Sequence, residues 1–98
     1  MEAVTLWNEN GLHVWVNWGT EGKLVLQGQS LSGGGEYEYA LSVLSEDVPK
    51  VVAALGGDAG ADAIDLIKAN SDSIVRQGEQ TWLKSLGITP GFWARSSD

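Results

Sequence analysis

The chain has 98 residues, with 13 acidic against six basic side chains, a net charge of −7 and no cysteine. That balance opposes nucleic-acid phosphates and anionic membranes, whose affinity for proteins comes from Lys and Arg. The missing thiols exclude a disulfide framework, a thiolate nucleophile and thiolate-bound zinc. One domain spanning residues 1–98 is expected, since this length leaves no room for a second core, and 43% hydrophobic residues with two prolines argue against disorder.

Ala3 to Glu9 reads as a strand, and Asn10-Gly11 suits the positive φ angles of a type I′ turn. Leu12 to Trp18 returns as the second strand. A two-residue loop pairs Glu9 with Leu12, Trp7 with Val14, Leu6 with Trp15 and Thr5 with Val16. Leu12, Val14, Val16 and Trp18 share the face expected in the core, whereas His13, Trp15 and Asn17 share the other. Gly19 to Gly22 is a turn, and Lys23 to Gln29 a third strand. Ser30 to Gly35 then leads into EYEYALSV, whose alternation marks the fourth strand.

From Val48 the period changes. Val48, Val51, Val52 and Leu55 make one helical stripe that stops at Gly56-Gly57, with Ser45, Glu46 and Asp47 offering capping oxygens at its start. Asp58 is the expected cap of a second helix running to Asn70. A third runs from about Ile74 to Leu86, weakened by Gly78, and ends at Gly87 with Ile88 folding back on Leu83. Phe92-Trp93-Ala94 is expected as an edge strand or a tail over the sheet. The fold class is α+β: a four-stranded antiparallel sheet followed by two or three helices packed on one face.

No residue cluster carries a recognisable reaction. His13 is the sole histidine, so it has no second ring for a metal pair or relay. Glu36 and Glu38 share one strand face, where two carboxylates form either a catalytic pair or an ordinary solvated surface. Gly33-Gly34-Gly35 precedes a strand rather than a helix, which is wrong for a phosphate loop. Asp58, Asp62 and Asp65 fall at i, i+4 and i+7, one acidic stripe without the spacing of a calcium loop. No metal and no cofactor are expected, and the aromatic side chains lack the interleaved basic residues of a nucleic-acid platform. No apolar run reaches the ~20 residues that span a bilayer. The opening MEAVTLWNEN carries no basic leader region, so the cytoplasm is the expected compartment.

The segments LVLQGQSL, GEYEY, SEDVPKVVAALGG and LGITPGFW, between Leu24 and Trp93, resemble a family of small acidic, uncharacterised actinobacterial proteins. Gln27 stands where that pattern has an acidic residue. The resemblance transfers no catalytic residue, and it implies an immunity-like or antitoxin-like partner protein. The expectation is therefore a non-catalytic protein-binding module, most concretely an immunity-like inhibitor of a basic toxin or effector. Its partner-binding residues would be Glu36, Glu38, Asp58, Asp62 and Asp65. The alternative is a small-ligand or carbohydrate-binding domain with Trp15, Trp18 and Tyr39 as an aromatic platform.

Overall fold

The computed structural model describes residues 3–9, 11–31, 36–58 and 60–97. Within these residues five strands, β1 (Val4–Glu9), β2 (Leu12–Trp18), β3 (Leu24–Ser30), β4 (Glu36–Val43) and β5 (Gly91–Ser97), form one antiparallel sheet in the order β1-β2-β3-β4-β5. Among the described residues four helices, α1 (Val48–Ala54), α2 (Ala63–Ala69), α3 (Ser71–Gln77) and α4 (Glu79–Ser85), lie in the long connection from β4 to β5. The architecture is α+β as expected, with a fifth strand at Phe92-Trp93-Ala94 and one more helix. None of the described helices is long and apolar enough to cross a membrane.

The first hairpin closes where the sequence places it, with Glu9 opposite Leu12 and Gly11 at φ +80; Asn10 lies outside the described residues, as does Gly33-Gly34-Gly35. The register then departs from expectation. Trp7 faces Val14, but Thr5 faces Trp15 and Val4 faces Val16, because the ladder shifts between Thr5 and Trp7. Such a bulge sets two residues against one. It lets the consecutive apolar side chains of Leu6 and Trp7 both pack on the core, which strict alternation forbids.

One face of the sheet carries the core. Val14, Val16, Leu24, Leu26, Leu41 and Val43 meet Val51, Ile64, Ile67, Ile74, Trp82 and Leu83 from the helices. After β4 the chain crosses to the far edge, where α2 and α3 pack on β1, and returns through α4 to lay β5 beside β4. Sequence signals explain the stops. Gly56 at φ +77 ends α1, with Gly57 N–H donating to Val52 C=O and Gly56 N–H to Ala53 C=O. Gly87 ends α4 in the same way, with Ile88 N–H donating to Leu83 C=O. Both are the paired bonds of a Schellman stop.

Three helix starts differ from expectation. Ser45–Asp47 forms a short 3-10 turn, and Asp47 pairs with Lys50 at 3.1 Å instead of capping α1. Asp62 rather than Asp58 caps α2, accepting from Ile64 N–H at 2.8 Å. Ser71 begins α3 where a break was expected, and Gly78 (φ 97, ψ 123) divides the predicted third helix into α3 and α4.

Candidate functional site

The expected site residues separate into three regions. Glu36 and Glu38 project from the sheet face that none of the described helices covers, because they alternate with Tyr37, Tyr39 and Leu41 on the helix side. Rows of partners cross this open face from edge to edge. Thr5, Trp15, Gln27, Ala40 and Trp93 make one row, and Asn8, His13, Gln29, Glu38 and Arg95 the next. Trp15 is half-buried here, its indole N–H donating to Gln27 Oε1 and its ring 4.9 Å from that of His13.

The carboxylates of this face are engaged within the sheet. Arg95 donates to both oxygens of Glu38 at 3.2 Å, and Gln29 donates to Glu36 at 2.9 Å. Hydrogen bonding with Glu38, then with Gln29, holds the Glu36 carboxyl below the ordinary carboxylate range, with a smaller contribution from the Arg95 charge.

Asp58, Asp62 and Asp65 lie around the start of α2, in the other layer, and all three are exposed. They do not form one helical stripe: Asp58 precedes the helix, Asp62 caps it and Asp65 occupies its first turn. No described cation, Lys68 one turn beyond Asp65 included, lies within ion-pair distance of any of them. Asp58 also lines a cavity of about 360 Å³ whose remaining walls include Val48, Pro49, Val52, Ala53 and Ala61. An apolar groove with unneutralised carboxylates at and beside its rim therefore sits at the junction of α1 and α2. Because α2 packs near β1 and Glu36 and Glu38 are on β4's opposite face, the five acidic residues do not form a common surface.

The aromatic set divides as well. Trp18 packs on the core side, as does Tyr39, while Trp15 is on the open face. The three do not make one platform. Tyr39 instead lies over Gly28, its cross-strand partner, and its hydroxyl donates to Glu79 Oε1 at 2.7 Å. Glu79 is the one buried charged residue among those described, and sequence reasoning did not single it out. Its spacing in α4, three before Trp82 and four before Leu83, was the available signal that it faces inward.

Burial, then the hydrogen bond to Glu79 and its negative charge, push the Tyr39 phenol above its usual value of 10.0. The folded state therefore holds this proton more tightly than the unfolded chain does. The contribution is whole below about pH 10 and is lost as pH rises beyond it. Tyr39→Phe is accordingly expected to lower stability at about pH 8, and by less at about pH 11, when urea unfolding is measured at both. A difference that stays constant across this range would show that the phenol proton is not held by the fold.

Comparison of the chain with protein-family models, with curated proteins and with solved structures finds no match.

Proposed function

We propose that this chain is a non-catalytic protein-binding module, in its most concrete form an immunity-like inhibitor that docks on a basic toxin or effector. The observation that carries the reading is the apolar groove between α1 and the start of α2, with Asp58 in its wall and Asp62 and Asp65 following. Residues 45–79 hold seven acidic side chains against three basic ones, an excess of four within the net −7. Interfaces combine such an apolar centre with charges that steer and register the partner. The groove fits a basic segment with an apolar side chain, which would cover Val52 and Ala61 while its Lys or Arg meets the aspartates. Occlusion of a toxin's substrate cleft by these carboxylates is the inhibitory step, and it needs no chemistry from this chain.

Glu36 and Glu38 are not part of that surface, since they are occupied by Gln29 and Arg95 on the other side of the sheet. A carbohydrate or small-ligand platform of Trp15, Trp18 and Tyr39 is the weaker reading, because the sheet stands between Trp15 and the other two.

The test begins with capture of basic partners from source lysate on immobilised protein, washed at low and then moderate salt. Replacing Asp58, Asp62 and Asp65 together by asparagine is expected to slow association of a captured partner by about tenfold at low salt. The difference should fade as the Debye length shrinks from ~10 Å at 0.1 M to ~3 Å at 1 M. Folding should hardly change, since asparagine caps a helix nearly as well as aspartate. An association rate indifferent to both the triple substitution and salt would remove this reading.

A further inference from the structure

A second groove, of about 430 Å³, lies between the helix-facing side of the sheet and the first turn of α4. Three aromatic rings line it: Tyr37 and Tyr39, two apart on β4, and Phe92 on β5 opposite Leu41. The two tyrosine rings are 6.0 Å apart at centroids, with planes tilted by 34°. Tyr37 is 42% and Phe92 52% exposed, so these two side chains can be reached from solvent. Glu79 closes the groove from α4 and is 7% exposed. Tyr39 occupies one of its carboxylate oxygens, and the other takes no hydrogen bond from the described side chains.

These groups select the sign of a ligand. Aromatic faces carry negative potential, and a carboxylate deep in the same groove adds a full negative charge. Both attract a cation with apolar substituents and both repel phosphates and carboxylates. The N-terminal end of α4 opposes this with at most about half a positive charge, which Glu79 outweighs. A neutral sugar would stack on the rings and gain nothing from the charge. The volume lies within the range of small-molecule sites and is too small for a folded segment.

We propose that this groove binds a small organic cation, an alkylammonium compound of about the size of choline, among Tyr37, Tyr39 and Phe92 and against Glu79. The site is separate from the acidic groove at α1 and does not depend on the partner-binding reading. The test is an NMR titration of the whole chain with choline, and with 3,3-dimethylbutan-1-ol as its neutral isostere, at constant ionic strength. Choline is expected to shift the amide resonances of residues 78–81 and the ring signals of Tyr37 and Phe92. It should bind about tenfold more tightly than the alcohol. Tyr37→Ala and Phe92→Ala remove exposed rings, and each should weaken choline severalfold while the spectrum stays that of the folded protein. Glu79→Gln should act in the same direction.

Equal affinity for choline and the alcohol would overturn the proposal. So would an absence of shifts at choline concentrations on the order of 10 mM, or choline binding unchanged by Tyr37→Ala and Phe92→Ala. The triple aspartate variant should bind choline normally, so failure of either reading leaves the other to be judged by its own experiment.

Discussion

Leu83→Ala is expected to lower the free energy of unfolding by about 3–4 kcal/mol, near the middle of the range for a buried leucine. Leu83 is fully buried in α4, and it belongs to the cluster that joins the helices to β2, β3 and β4. Its loss combines the transfer of the missing isopropyl carbons with a cavity that the rest of the buried cluster fills only in part. The backbone allows little collapse there, because Leu83 C=O also accepts Ile88 N–H in the stop that ends α4. For a domain of this size the midpoint of thermal unfolding should fall on the order of 15–25 °C. Lys84→Ala, one residue away and exposed, should change stability by no more than about 0.5 kcal/mol. Calorimetry or urea unfolding of the two variants reads the contrast, and a loss below about 1 kcal/mol for Leu83→Ala would mean that α4 does not pack on the sheet as described.

Gly28→Ala should cost about 3 kcal/mol, although alanine is ordinarily the better strand residue. Gly28 is buried in β3 between Val14 and Tyr39, and a Cβ there would overlap the Tyr39 ring. Moving the ring breaks its hydroxyl's bond to Glu79 and disturbs its packing against the core. Displacing it combines overpacking, about 1–3 kcal/mol, with loss of a hydrogen bond to a buried charged group, about 1.5–3 kcal/mol. A double-mutant cycle separates this cause from a general intolerance of the strand. With Tyr39→Ala in place there is nothing to strike, and Gly28→Ala should become neutral or stabilising by about 0.5–1 kcal/mol, the ordinary backbone advantage of alanine over glycine. If Gly28→Ala destabilises equally in both backgrounds, the ring does not lie over the glycine.

Much of the fold was legible because short-range physics decides it. Alternation in LHVWVNW and EYEYALSV marks strands, and glycine at positive φ ends α1 and α4 where Gly56 and Gly87 stand, because only glycine adopts that conformation without a steric penalty. The change of period at Val48 likewise places the end of the sheet's first four strands and the start of the helical layer.

What the tertiary structure decided involves choices between locally equivalent options or contacts distant in sequence. Asp58 and Asp62 are equal as caps; burial of Ala63, Ile64 and Ile67 selects Asp62 and leaves Asp58 in the groove wall. The bulge in β1 follows from two adjacent apolar residues, Leu6 and Trp7, each more stable on the core than in water, which outweighs one irregular ladder position. Composition and spacing brought forward five acidic and three aromatic site candidates, but only the sheet could assign them to opposite sides. Tyr39 and Glu79 are 40 residues apart, and no local pattern announces their hydrogen bond. The chain reaches it because β5 returns beside β4 and carries α4 over the tyrosine, and that long-range closure builds the aromatic groove.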